Sequence, residues 1–203
     1  VRSTLMQEMH HRVKNNLQQI VSLLRLQLRH KHYESIEAAI TDSIARILSI
    51  AAVHDLLSRE DLDRVSVLVI AESLVQLMQQ GVIPPDKAIR FDVRGQAIRL
   101  GMTQATQIAL VLNELVLNAI EHGFEKADKG EIHITFETEG EQVRLWVANN
   151  GDPLPPDFDV AVNAHLGLQI VSNLARGLGG TFKMYDSLGW AVAELQFVNT
   201  GSD

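Results

Sequence analysis

Two adjacent histidines near the start of the chain are the first residues whose type and position suit chemistry. His10 and His11 precede Arg12 in the stretch EMHHRVKNNLQ, residues 8–18. A histidine ring is mostly neutral at pH 7, because the unperturbed pKa of imidazole is about 6.5, so a ring nitrogen is available for reaction. Pairs of histidines are more often ordinary surface or packing residues, so the place of each ring on its element decides its role.

Helical periodicity separates the two histidines. Residues 4–32 contain no Gly or Pro, and their apolar residues recur at helical spacing, which predicts one long helix. At about 100° per residue, the apolar stripe of 9–28 is centred roughly opposite His11. His11 therefore faces outward with Asn15 one turn later, whereas His10 lies on the flank of the stripe. We expect chemistry at His11 and packing at His10.

A second polar cluster interrupts the apolar helix LVLNELVLNAIEHGF, residues 110–124. It contains Asn113, Glu114, Asn118 and His122. Glu114 and Asn118 are four residues apart and therefore share one helix face. Mg²⁺ prefers oxygen ligands, so a carboxylate and an amide in this arrangement can hold the ion together with a polyphosphate.

Two loops that contain glycine follow this helix. NNGDPLPPDFD, residues 149–159, is rich in Gly and Pro and leaves a predicted strand, and HLGLQIVSNLARGLGGTF, residues 165–182, runs into a helix start. Backbone N–H groups at a helix start favour anions. Taken alone, each of these segments is more often structural. In this order and at this spacing, the segments together are a much more specific signal of function than any one of them.

The elements that position these residues begin with a helical part. A second helix is predicted over about 35–57, and the short link before it makes an antiparallel hairpin. An isolated pair of helices cannot bury both apolar stripes, so we expect a homodimer that forms a four-helix bundle. A third helix, about 66–80, ends at QGVIPPD. We expect one domain over 1–62, which contains the hairpin, and another over 63–203.

After QGVIPPD the pattern changes to period-two alternation, which is typical of strands. Predicted helices at 103–122 and about 166–178 interrupt the strands. Runs of antiparallel strands with a few helices on one face describe an α+β sandwich. The predicted strands span 88–95, 131–140, 141–150, 180–187 and 191–198.

Composition excludes several classes of protein. The chain has 203 residues, of which 18 are basic and 25 acidic, and its net charge of -7 argues against general nucleic-acid binding. It has no cysteine for a disulfide or a thiolate metal site, which fits a reducing cytoplasm. Its longest apolar run, residues 67–71, is far shorter than the roughly 20 residues of a membrane span. The chain begins with Val rather than Met, so we expect an upstream sensor or membrane anchor.

In this order the segments resemble the sensor histidine kinases, and within them the subfamily with a His-Arg-x-Lys-Asn-Asn-Leu acceptor helix, close to the HWE kinases. The resemblance implies a dimeric phosphotransfer hairpin over 1–62 and an ATP-binding domain of the Bergerat fold over 63–203. It also implies Mg-ATP as the phosphoryl donor and the receiver domain of a response regulator as the partner. The matching segments are the acceptor helix 8–28, the N box 110–124, the G1 box 147–155, the G2 box 165–171 and Gly-Gly-Thr at 179–181.

The resemblance gives individual residues their roles. The family's acceptor stands directly before the Arg, which is His11, the residue that helical spacing also places outward. Asn118 matches the family's Mg²⁺-binding Asn, and Glu114 matches the N-box carboxylate of ATP-hydrolysing relatives. Because Arg12 replaces the acidic residue that often follows the acceptor, we hypothesise that Glu114, or else Glu8, takes the imidazole proton. The implied nucleotide contacts are Asn113, Asn118, His122, Asn149, Gly151, His165, Gly167, Leu168 and Thr181.

Two nucleotide-site positions depart from the family pattern. Asn149 aligns with the family's adenine-binding Asp. An Asn oxygen can still accept from the adenine amino group, with a loss of about 1 kcal/mol, or a several-fold weaker affinity. Asp152, three residues on, is a less favoured substitute. His165 stands where the family usually has the first glycine of the G2 box. Its side chain either crowds the loop that covers the triphosphate as a lid, or adds a hydrogen-bond donor to the triphosphate.

Two other interpretations are compatible with the sequence. A non-catalytic dimerisation and response-regulator-docking module would explain the two departures as a decayed nucleotide site. A serine kinase of the anti-sigma type would share the ATP domain but needs no acceptor hairpin. Nucleotide binding separates the first alternative from a histidine kinase, and an acid-labile phosphate separates the second.

Overall fold

Residues 64–163 and 166–201 are described by the computed structural model, together with the helical positions 36, 40, 43, 44, 47 and 51. The predicted acceptor helix over 4–32, with His10 and His11, lies outside the described residues, as does His165. The division of the chain at residue 62 stays a prediction.

The helices of the continuous described part agree with the periodicity of the sequence. The predictions over 66–80, 103–122 and about 166–178 are each confirmed to within one residue at either end. A further helix of four residues was not predicted, because it is too short to show a helical period. The observed helices are α1 (Val67–Gly81), α2 (Met102–Gly123), α3 (Val160–Asn163) and α4 (Leu166–Gly177).

All five predicted strands are present, and two short strands were missed. Each missed strand, β1 and β3, has only three residues, which is too few for period-two alternation to be recognised. The observed strands are β1 (Arg64–Ser66), β2 (Ala88–Gly95), β3 (Arg99–Gly101), β4 (Lys129–Glu139), β5 (Gln142–Asn149), β6 (Thr181–Ser187) and β7 (Trp190–Val198).

Five of the strands form one mixed sheet in the order β2-β4-β5-β7-β6. β1 and β3 pair separately as an antiparallel ribbon. The prediction of antiparallel strands is wrong for one pair of the sheet, because β2 and β4 run parallel. The chain between them contains α2, and a helical crossover returns the chain to the same end of the sheet, as parallel neighbours require. The predicted α+β class is confirmed.

The core lies between one face of this sheet and the helices α1, α2 and α4. β4 and β5 bury alternate side chains, and those on the helix side are between 0% and 3% exposed. Full burial of such a side chain contributes about 1.5–3 kcal/mol. α2 contacts α1, α4 and β5, so the polar residues on this helix have fixed positions. The buried strand residues are Ile132, Ile134, Phe136, Val143, Leu145 and Val147.

The opposite face of the sheet carries charged and aromatic side chains that pair with one another. Tyr185 donates a hydrogen bond to Glu194 at 2.7 Å, and the Lys183 ammonium lies 3.4 Å from the same carboxylate. Burial by itself raises the pKa of Glu194, but the bond from Tyr185 and the charge of Lys183 outweigh it, so this pKa lies below its usual value. His133 packs on Trp190 with the ring centroids 4.4 Å apart.

Within the described residues, no helix combines the length and the apolar character that a bilayer crossing needs.

Candidate functional site

A cavity of 360 Å³ lies at the C-terminal end of α2. This volume falls within the range of pockets that bind small molecules. The cavity is bounded by α2 and the turn after it, by the loop of residues 152–158, by α4, and by β6 and β7. Its lining divides chemically into an apolar and a polar set.

The apolar lining offers flat contact area to an aromatic ring. The 152–158 loop contributes three prolines and Phe158. Leu168 comes from α4, and Met184 and Ala191 come from the last two strands. Leu168 is 1% exposed and Ala191 7% exposed, so this wall is packed into the core. Ala191 pairs across the sheet with Asn149, which brings the end of β5 next to the cavity wall.

The polar lining comes mainly from α2 and the turn that follows. Asn118 and His122 both line the cavity, as expected for two residues four apart on one helix face. The His122 Nδ1 atom lies 2.9 Å from a carboxylate oxygen of Glu125. Glu125 and its neighbour Lys126 also line the cavity. Of the predicted site residues, the cavity therefore brings together Asn118, His122 and Leu168.

The other two residues of the polar cluster predicted on α2 are buried. Asn113 is 0% exposed and Glu114 is 2% exposed. The Asn113 amide donates to a Glu114 carboxylate oxygen at 3.4 Å, and neither side chain is among the lining residues of the described part of the chain. Glu114 lies one helical turn before Asn118, on the same face of α2.

Gly151 allows the loop after β5 to touch the end of α2. A Cβ atom at this position would lie 2.0 Å from the Gly123 carbonyl oxygen and 2.8 Å from the Phe124 ring. Gly123 is also tightly packed, since a Cβ there would lie 2.5 Å from the side-chain amide nitrogen of Asn149. Gly151 is therefore required by the close approach of two backbones, and Gly123 by the side chain of Asn149.

Asn149 ends β5 and is 6% exposed. Its Nδ2 atom donates to the carbonyl oxygen of Asp152 at 3.3 Å. Because an Asn amide has one donor side and one acceptor side, this bond fixes Oδ1 as the atom that is left to accept a hydrogen bond.

Asp152 connects the loop after β5 to the end of α2 and the turn that follows, through its backbone N–H and its carboxylate. Its backbone N–H donates to the Gly123 carbonyl at 2.6 Å. Its carboxylate accepts from the backbone N–H groups of Lys126 at 2.7 Å and Ala127 at 3.2 Å. This carboxylate is thereby occupied, which argues against Asp152 as the substitute adenine contact. Short Asp side chains in loops commonly bind backbone N–H groups, but a partner 26 positions away cannot be read from the sequence.

The remaining predicted contacts are not all at the cavity. Gly167 is half-buried in the first turn of α4, and Thr181 is exposed at the start of β6. Neither is among the lining residues that the structure describes. His11 and His165 are outside the described residues.

Two family models match the chain. Residues 8–82 match the model described as histidine kinase, and residues 86–187 match the histidine kinase-like ATPase domain. The sensor histidine kinase PdtaS of Mycolicibacterium smegmatis is 38% identical over 181 residues, which cover 88% of this chain and 36% of that protein. The chain thus spans little more than a third of this relative.

Solved structures share the fold. The blue-light activated histidine kinase EL346 of Erythrobacter litoralis has a TM-score of 0.69 and 22% identity, with 100% of this chain and 65% of that chain covered. Histidine kinase ThkA, solved in complex with the response regulator protein TrrA, has a TM-score of 0.52 and 20% identity, with coverages of 97% and 61%. The two family matches, over residues 8–82 and 86–187, and the 38% identity to PdtaS show that the chain belongs to the histidine kinase family.

Proposed function

We propose that this chain is the kinase core of a two-component system, which uses Mg-ATP to phosphorylate His11 and passes the phosphoryl group to an aspartate of a response regulator. The observation that carries the proposal is the cavity at the end of α2, where an apolar wall meets the polar side chains of Asn118 and His122. A formed cavity with both side chains in its lining favours an active site over a decayed one.

The cavity suits an adenine nucleotide. The apolar wall of Leu168, Met184 and Ala191 offers packing area to a purine ring. The amide of Asn149 is oriented by the bond from Nδ2 to Asp152, so Oδ1 is the side-chain atom that can accept a hydrogen bond. The 6-amino group of adenine is a donor that would satisfy this oxygen. We therefore keep Asn149 as the proposed adenine contact.

The polar lining of the cavity can hold a magnesium ion that arrives with the nucleotide. Mg²⁺ commonly binds one or two protein oxygens together with phosphate oxygens and water. The described residues contain no cluster of three or more His, Cys, Asp or Glu side chains that could enclose a metal alone. Asn118 would supply an amide oxygen, and the bound ion would neutralise charge on the phosphates.

His11 is the proposed nucleophile. The transfer forms a bond between a ring nitrogen and the γ-phosphorus, breaks the bond from that phosphorus to the bridging oxygen of ADP, and releases the ring proton to a base. The match of residues 8–82 to the histidine kinase model supports this assignment, and so does the outward place of His11 in the helical pattern. Phosphotransfer to a receiver aspartate would regenerate the free imidazole.

Exposed isoleucines support a homodimer through the hairpin. Ile36, Ile40 and Ile44 occupy successive turns of a helix and are 80%, 54% and 51% exposed in the single chain. A row of large apolar side chains in water is costly, and a second copy that covers the row removes this cost. We place this dimer in the cytoplasm, where ATP and response regulators are available.

Incubation with Mg²⁺ and γ-labelled ATP tests the proposed function. We expect the protein to take up label that is lost in acid and retained in base, which is the behaviour of phosphohistidine. Acid-stable label would instead indicate serine chemistry of the anti-sigma type. A folded protein that binds no ATP in a titration would support the non-catalytic docking module.

Glu114→Gln tests the proposed proton acceptor. We expect autophosphorylation to fall at least about tenfold while ATP affinity stays the same, because the variant keeps the shape of the side chain and loses only its basicity. Initial rates of labelling and a nucleotide titration measure the two effects. Glu72→Gln, on the exposed side of α1, is the matched control. Unchanged labelling by Glu114→Gln would leave Glu8 as the remaining candidate.

A further inference from the structure

We propose that Lys126, held in place by Asp152, binds the polyphosphate of the nucleotide; this assignment rests on the proposed function. Lys126 follows the end of α2 by three residues and lines the same cavity as Asn118 and His122. Lys126 is not among the nucleotide contacts that the resemblance to the family implies. Lys126 is positively charged, has no ionic partner among the residues that the structure describes, and extends from a backbone that Asp152 holds in place.

Lys126 supplies the positive charge of the cavity. Of the residues that line it in the described part of the chain, Lys126 alone is permanently cationic, whereas Glu125 and Asp152 are acidic. A nucleotide polyphosphate carries several negative charges and needs a cation or hydrogen-bond donors opposite them. His122 is a weaker choice, because its ring already lies 2.9 Å from the Glu125 carboxylate.

The ammonium group of Lys126 is available for such a contact. Lys87 lies 3.0 Å from the Asp128 carboxylate, and Lys183 lies 3.4 Å from that of Glu194. Lys126 makes no ion pair with any residue that the structure describes, although Glu125 is its neighbour in the chain. A lysine at a cavity rim without an internal partner is suited to an external anion.

Asp152 fixes the backbone from which this side chain extends. Its carboxylate accepts from the Lys126 N–H at 2.7 Å and from the Ala127 N–H at 3.2 Å. The Asp152 N–H in turn donates to the Gly123 carbonyl at 2.6 Å, so three hydrogen bonds join the loop after β5 to the end of α2 and the turn after it. Asp152 is therefore a positioning residue: it need not touch the nucleotide to place the Lys126 side chain beside the phosphates.

Lys126→Gln tests the phosphate contact by comparing ligands that differ only in phosphate. We expect the Kd of ATP to rise about five- to twentyfold and the Kd of adenosine to stay unchanged, because only the charge-assisted bond to phosphate is lost. Lys129→Gln makes the same change of charge at an exposed position three residues away and should leave both values unchanged. Equal weakening of ATP and adenosine, or no weakening of ATP, would overturn the assignment.

A double-mutant cycle tests the positioning role. Asp152→Asn should raise the Kd of ATP about threefold in the wild-type background and leave it unchanged in the Lys126→Gln background, because Asp152 acts through Lys126. Equal effects in both backgrounds, or tighter ATP binding once the Asp152 charge is removed, would overturn this role. If the wild type binds adenosine and ATP equally weakly and takes up no label, the proposed function itself fails.

Discussion

His11→Gln is expected to abolish acid-labile labelling by γ-labelled ATP. Gln has no nitrogen that can attack phosphorus, because its amide lone pair is delocalised, whereas a neutral imidazole offers a free ring nitrogen near pH 7. ATP binding should be unaffected, since the nucleotide cavity is formed by residues between Asn118 and Ala191. Labelling followed by acid and base treatment, alongside a nucleotide titration, measures both properties.

His10→Gln is the matched control for this result. Helical spacing puts His10 on the flank of the apolar stripe, so its loss should leave the labelling close to that of the wild type. Loss of label in His10→Gln with retention in His11→Gln would reverse the assignment. Retention of acid-labile label in both variants would place the acceptor at another histidine.

Gly151→Ala is expected to weaken ATP binding about a hundredfold and to lower the free energy of unfolding by about 1–3 kcal/mol. The new methyl carbon would stand 2.0 Å from the Gly123 carbonyl oxygen, which is backbone and cannot rotate away. The loop must then withdraw from α2, which breaks the bonds that Asp152 makes to Gly123, Lys126 and Ala127. Urea unfolding and equilibrium ATP binding measure the two effects.

Gly81→Ala provides the control for the added methyl group. Nothing lies within 4 Å of a Cβ at this position, and Gly81 is the last residue of α1, where Ala is a better helix former. Its stability should equal or slightly exceed that of the wild type, with unchanged ATP affinity. Wild-type ATP affinity in Gly151→Ala would show that the close approach of loop and helix is not needed for binding.

The elements of the ATPase domain could be predicted because their patterns are local. Alternation in β4 and β5 and the helical period of α2 follow directly from which side chains must be buried, so these elements were found nearly to the residue. β1, β3 and α3 are too short for a period to be recognised. The parallel pairing of β2 with β4 also escaped prediction, because it depends on the path of the chain and not on either strand.

The same distinction between local patterns and long-range contacts applies to the residues of the candidate site. Asn118 and His122 could be placed together, since four residues on a helix define one face. The role of Asp152 could not be predicted, because its partners come from a turn that only the folded chain brings near. The burial of Glu114 has a similar origin: the sequence gives its place on α2, but the packing of α4 and the sheet decides how much of it water reaches.

The crossover between β2 and β4 contains α2, so the cavity at the end of this helix depends on contacts between distant parts of the chain. The cavity takes its walls from segments far apart in the chain, and contacts of this kind form only when the loops between them have closed, which slows folding. The cavity combines residues of α2, α4, β6 and β7, so it is complete only in the folded domain, and we expect a nucleotide to bind the native state alone. Saturating ATP should therefore raise the melting temperature of the whole ATPase domain and not merely order a loop. Concentrations of ATP well above its Kd would then protect this acidic, cysteine-free chain against unfolding.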